Sequence, residues 1–220
     1  MKDSAALNLH PSSQPEPLIR AFLAIEFGAE LQLALHGWMM RLKKKDTYHF
    51  VRWTKLENLH LTMRFLGNQP ETALEKLRSL LQERLVEIDP FSIGLTSLGV
   101  FPSIRKAQVI WIGVSAPPAL VDTASILRKC CIDAGMGVEE KPFSPHITLG
   151  RVRERADPAR IREWMEGVMA EQVEKDKDLT PWQVVKSISI VKSVLTPAGP
   201  VYSPMGIIKL NELSEKRNLD

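Results

Sequence analysis

Two short segments of the chain carry the same four-residue word. His60-Leu61-Thr62-Met63 stands in the first third, and His146-Ile147-Thr148-Leu149 stands in the second half. Each reads His, apolar, Thr, apolar. In an extended strand, residues i and i+2 share a face. His60 and Thr62 therefore point together, as do His146 and Thr148, while Leu61, Met63, Ile147 and Leu149 turn the other way into a core. An imidazole changes charge near neutral pH, and a hydroxyl both donates and accepts hydrogen bonds. Presented together twice, they are the equipment for acid–base chemistry on an anionic substrate. Two residues past Thr62, Arg64 joins the same face on strict alternation and is a candidate for touching that anion.

Groups of this kind need rigid elements to hold them. Ile19 to Phe27 reads as a buried strand, and Ala29 to Lys45 as a helix with Leu31, Leu35, Trp38, Met39 and Leu42 on one face. The first His word follows in a strand that Gly67 ends. A second helix starts near Pro70 and presents Leu74, Leu77, Leu81 and Leu85. Phe91 to Val100 and Gln108 to Val114 read as strands, and Pro118 to Ala134 as a helix stopped by Gly135. After the second His strand, Asp157-Pro158 opens a fourth helix carrying Ile161, Trp164, Met165 and Val168. Glu171 to Asp178 reads as a charged loop, and Val184 to Leu195 and Val201 to Leu210 as closing strands. Trp53, Trp111 and Trp182 have apolar neighbours and read as core residues rather than stacking platforms. The pattern is one α+β unit used twice. It predicts two pseudo-symmetric lobes of antiparallel-rich sheet, with helices packed outside and a central groove between them.

Composition excludes several classes. Of 220 residues, 44% are hydrophobic and 25% charged, as in ordinary globular proteins. Lys and Arg number 29 against 26 Asp and Glu, and the net charge of +3 is too mild for a general nucleic-acid coat, leaving room for a local basic cleft. No apolar run approaches the ~20 residues that span a bilayer. The polar stretch before Leu18 lacks the apolar core of a signal peptide, so the expectation is a cytoplasmic protein without membrane contact. Residues 1–17 read as a disordered leader, 18–210 as a single bilobal domain and 211–220 as a polar tail. Cys130 and Cys131 are adjacent and read as small buried side chains. The histidines show no zinc-like spacing with Cys, Asp or Glu, so neither a metal nor another cofactor is expected. No dimerisation heptad is present, and a monomer is expected.

The text around the two words is distinctive. Val51-Arg52-Trp53 leads through Glu57-Asn58-Leu59 into His60-Leu61-Thr62-Met63-Arg64-Phe65-Leu66-Gly67. Val100-Phe101-Pro102 and then Val109 to Val114 precede Lys141-Pro142-Phe143-Ser144-Pro145-His146-Ile147-Thr148-Leu149-Gly150-Arg151-Val152, and Leu195 to Tyr202 follows. Together these resemble the two-histidine (2H) phosphoesterase superfamily, and within it the prokaryotic RNA 2′,3′-cyclic phosphodiesterases, also called 2′–5′ RNA ligases. The resemblance runs from about Ile19 to Leu210. It implies hydrolysis of a terminal 2′,3′-cyclic phosphate to a 2′-phosphomonoester, without metal, with His60 as proton donor and His146 as proton acceptor. Thr62, Thr148 and Arg151 would bind the substrate phosphate. RNA ends, tRNA fragments or small nucleotides are the implied partners, and the same site would join a 5′-hydroxyl end through a 2′–5′ linkage.

Three points stay open in the sequence. Strict alternation puts Arg151 on the face opposite His146, unless a bulge or strand end near Gly150 turns it back. Ile104-Arg105-Lys106-Ala107 departs from the Pro-Arg usual in the family before the next strand. The substrate also has alternatives: a cyclic nucleotide, an ADP-ribose cyclic phosphate or a 2′–5′ oligoadenylate, or a non-catalytic module that only grips RNA ends.

Overall fold

The computed structural model describes residues 16–137, 142–175 and 181–211. Most of the expected leader and all but Asn211 of the expected tail lie outside these residues. In chain order the elements are β1 (Leu18–Ile25), α1 (Ala29–Lys45), β2 (Val51–Trp53), β3 (Leu61–Pro70), α2 (Glu71–Leu85), β4 (Phe91–Phe101) and β5 (Val109–Val114). They continue with α3 (Pro118–Asp133), β6 (His146–Val152), α4 (Pro158–Lys175), β7 (Trp182–Val185), β8 (Ser187–Thr196) and β9 (Gly199–Lys209).

Two antiparallel sheets result. One has the order β3-β1-β8-β9 and the other β2-β6-β5-β4-β7. Helices α2 and α3 pack on the first sheet, and α4 packs on the second. The leucine face of α2 (Leu74, Leu77, Leu81 and Leu85) is buried, as its spacing requires. Helix α1 follows the N-cap residue Gly28, whose N–H donates to Gln183 on β7, and its C-terminal end leads into β2. It therefore crosses the second sheet from one edge to the other. No helix among the described residues is long and apolar enough to cross a membrane.

The two-lobed α+β architecture is as expected, but the lobes are not the two halves of the sequence. The chain passes back and forth: β1 and β3 build one sheet, β2 and β4 to β7 the other, and β8 and β9 return to the first. Three local readings also change. The segment read as one strand from Val184 to Leu195 breaks at Lys186 into β7 and β8, which belong to different sheets. The helix α4 runs on to Lys175, into the stretch read as a loop. The strand β3 continues through Gly67, at φ 72°, to Pro70.

Irregular pairing sets the faces of both His strands. Trp111 faces Thr148 and Ile110 faces Gly150, so Leu149 is an extra residue on β6. Leu23 faces Arg64 and Ala24 faces Thr62, so Met63 is an extra residue on β3. A bulge of this kind shifts the alternation of everything beyond it by one residue. Gly150 is tied to its bulge: a Cβ there would sit 2.5 Å from Val51 Cγ1 and 3.1 Å from the Arg52 carbonyl oxygen. Gly150→Ala should therefore lower unfolding stability by about 1–3 kcal/mol, the range for overpacking a tight core. Urea denaturation measures this, and an unchanged midpoint would mean the strand relaxes without loss.

Candidate active site

The first sheet curls so that its far edges meet. Asn58, just before β3, donates from Nδ2 to the Pro200 carbonyl of β9 at 3.0 Å. Inside the curl, Phe22, Ala24, Val191 and Tyr202 form a small apolar cluster separate from the main core. His60 lies on it, stacked on Phe22 at 4.6 Å between centroids and edge-on to Tyr202 at 5.3 Å. His146 has a matching frame in the second sheet, with Phe101 edge-on at 4.9 Å and Trp111 at 6.1 Å. Trp111 lies flat over Gly99 on β4, where a side chain would collide with its ring.

Both imidazoles are anchored alike. His60 Nδ1–H donates to the Asn58 carbonyl at 2.8 Å, and His146 Nδ1–H donates to the Ser144 carbonyl at 2.7 Å. A carbonyl only accepts, so Nδ1 carries a proton in both rings. That leaves each Nε2 to accept a proton when neutral and to donate one when charged. His60 Nε2 also meets Thr62 Oγ1 at 3.0 Å, so the repeated word pairs imidazole and hydroxyl directly in the first strand. Burial among Phe22 and Tyr202 lowers the His60 pKa below the ordinary value of 6.5, and the Asn58 hydrogen bond opposes this only partly. His146 sits more openly on its sheet, with an exposed hydrogen bond to Ser144.

The strands β3 and β6 lie against each other, which brings the two words to one groove. Thr62 and Thr148 keep the faces that alternation gave them. The arginines do not. The extra Leu149 returns Arg151 to the face of His146 and Thr148, where its charge reaches Tyr202 of the other sheet. Burial raises the Tyr202 phenol pKa, and the Arg151 and Arg20 guanidiniums oppose that rise. The extra Met63 does the reverse to Arg64. It stands opposite core-facing Leu23, with its charge near Cys131 on α3 and its Nε buried without a hydrogen-bond partner among the described residues. Arg64 is thus removed from the groove, a correction to the reading by alternation.

Other expectations sort as follows. Cys130 and Cys131 are buried and free, and burial raises the Cys131 thiol to about 11, far from a reactive thiolate. Trp53 packs edge-on against Trp164, as a core residue should. Trp182 is exposed on edge strand β7, lying over Gly94, which overturns its reading as core. Sequence reasoning gave no part to Phe22, Tyr202 or Phe101. Their roles come from cross-strand neighbours, and the local traces are the Phe101 and Tyr202 segments quoted with the motifs.

Comparison with known proteins gives the family and the fold. The 2′-5′ RNA ligase superfamily profile matches residues 31–192. The chain belongs to that superfamily. The RNA 2′,3′-cyclic phosphodiesterase of Methanothermobacter thermautotrophicus is 30% identical over 87% of this chain and 99% of its own length. That of Thermotoga maritima is 31% identical over 84% of this chain and 91% of its own. In fold, a crystal structure from Thermus thermophilus superposes at TM-score 0.67 with 25% identity, covering 88% of this chain and 98% of that one. Escherichia coli LigT complexed with 3′-AMP superposes at 0.68 with 23% identity, covering 89% and 99%.

The buried setting of His60 has a measurable sign. The folded protein holds this ring neutral more strongly than the unfolded chain does, so the unfolded chain binds the proton first on acidification. Below about pH 6.5, His60 should therefore reduce folding stability as pH falls, and His60→Gln should be less acid-sensitive. In the free protein its ¹⁵N-detected titration should fall below the ordinary histidine value. Added inorganic phosphate should move it upward, because a neighbouring anion favours imidazolium. A titration that phosphate does not move would place the anion elsewhere.

Proposed function

We propose that this chain, working as a cytoplasmic monomer, is an RNA 2′,3′-cyclic phosphodiesterase that opens the terminal cyclic phosphate to a 2′-phosphomonoester. One observation carries the reading: two imidazoles with matching Nδ1–H anchors stand on strands of different sheets, each with Nε2 left to exchange a proton, that of His60 beside the Thr62 hydroxyl. In-line displacement at phosphorus needs a base on one side and an acid on the other. The sequence identity to relatives named for this activity supports it over most of the chain. Thr62, Thr148 and Arg151 occupy the faces from which donors would reach the non-bridging oxygens.

In this mechanism His146 Nε2 takes a proton from water as the water oxygen bonds to phosphorus. The P–O3′ bond breaks, and His60 Nε2–H gives its proton to O3′. The products are a 3′-hydroxyl and a 2′-phosphomonoester. His60 ends neutral, His146 ends protonated, and solvent resets both. The division of roles suits the setting: water arrives at the more open His146, whereas His60 is half-buried against Phe22 and Tyr202. The buried His60 takes up the proton it needs when a phosphate anion enters beside it. A 5′-hydroxyl in the place of water would yield a 2′–5′ diester, but water is in large excess. Both proton transfers are made by side chains, so the reading needs no metal.

The direct test is an RNA ending in 2′,3′-cyclic phosphate, incubated in EDTA with analysis of the new end. A 2′-phosphate is expected, at a rate the chelator does not change. His60→Ala and His146→Ala should each reduce turnover by roughly 10²–10⁴. An unaltered RNA end would instead favour a module that binds ends without cutting them.

The two bulges make a separate prediction about arginines. Arg151→Ala should reduce kcat/KM on the order of 10²-fold, as for loss of a transition-state donor. Arg64→Met should leave kcat/KM near wild type while changing thermal stability. The opposite pattern in steady-state kinetics would show that strict alternation, not the bulged register, describes the working site.

A further inference from the structure

Arg52 and Arg151 are direct partners in the β2–β6 ladder. Side chains directly opposite in an antiparallel pair leave the sheet on the same face, with Cβ atoms about 4.5–5.5 Å apart. That face is the groove, because the neighbours of Arg52 go the other way: Val51 is buried in the core and Trp53 packs on Trp164. Both guanidiniums are exposed, and no ion pair among the described residues involves either. Like charges directly opposite one another destabilise a sheet. Two exposed arginines on adjacent strands, without a carboxylate between them, therefore form a place where an anion relieves repulsion.

Arg151 serves the reacting phosphate in the mechanism above. Arg52 stands one strand farther out, on edge strand β2, at the rim of the same groove. We propose that Arg52 binds the phosphate on the 5′ side of the terminal nucleotide. The proposal rests on the catalytic reading of the site. A 2′,3′-cyclic phosphate is the 3′ end of its strand, so every further negative charge on the substrate lies on its 5′ side. A guanidinium is the side chain suited to such a group, since its planar fork offers two parallel N–H donors to phosphate oxygens. The groove then selects 5′-phosphorylated and oligomeric ends over a bare cyclic nucleoside phosphate. Specificity comes from charge placement rather than from base contacts.

The test compares adenosine 2′,3′-cyclic phosphate with and without a 5′-phosphate and takes the ratio of the two kcat/KM values for each enzyme. The ratio does not depend on the fraction of protein that is folded. In the wild type the 5′-phosphate should raise kcat/KM by roughly tenfold, the size of one charge-assisted hydrogen bond. Arg52→Ala and Arg52→Gln should bring the ratio close to one, and Arg52→Lys should give an intermediate value. Raising salt should shrink the wild-type ratio toward that of Arg52→Ala. Arg20→Ala supplies a contrast, since Arg20 lies on the first sheet with Tyr202, across from Arg52, and should leave the ratio as in wild type. A ratio unchanged in Arg52→Ala, or abolished by Arg20→Ala instead, overturns the assignment of Arg52 alone. A wild-type enzyme active on the RNA end but on neither nucleotide overturns this inference alone, and one inactive on the RNA end as well overturns the catalytic reading with it.

Discussion

Each imidazole is held by a hydrogen bond from its Nδ1–H to a main-chain carbonyl two residues upstream, and the rest of the site follows from that bond. It fixes the tautomer, fixes the ring plane, and turns Nε2 toward the groove. A ring free to rotate would offer either nitrogen, and proton transfer would depend on chance orientation. The carbonyls belong to Asn58 and Ser144, residues just outside their strands whose peptides are free of the β ladder. The segment before each strand is therefore as much a part of the chemistry as the strand itself. Asn58 does double duty, since its side chain also closes the curl of the first sheet against Pro200.

The same anchoring holds two imidazoles in different surroundings. His60 lies between Phe22 and Tyr202, and burial there weakens its hold on its proton. His146 has aromatic neighbours too, but its hydrogen bond to Ser144 is exposed. Matching anchors thus coexist with different surroundings for the two rings.

Much of this was legible in the sequence because it obeys local periodicity. The faces of His60, Thr62, His146 and Thr148 follow from period-two alternation, and α1 has the limits its leucine pattern predicted. What failed at the site has one physical cause: pairing across strands. The extra residues Met63 and Leu149 exchange the fates of Arg64 and Arg151, and only the partner strands reveal them. A bulge near Gly150 could be named from the discomfort at Arg151, but nothing comparable drew attention to Met63. Lys186 looks like the middle of a strand, because both sides are apolar and β-branched. The break there reflects a choice between two sheets, which no local pattern encodes.

The interleaved path of the chain has a consequence for how the protein is made. β1 pairs with β8, and Ala21 meets Lys192 across that ladder. A ribosome releases β1 and β3 early, yet the second neighbour of β1 emerges only after every strand of the second sheet. Until then the nascent chain carries an open strand edge, the kind of surface that pairs readily with another chain. Contacts this distant in sequence also slow folding, because a long loop must close before they form. The groove is therefore among the last features to exist. A truncated or stalled chain would hold both histidine words and still lack the Tyr202 wall against which His60 rests.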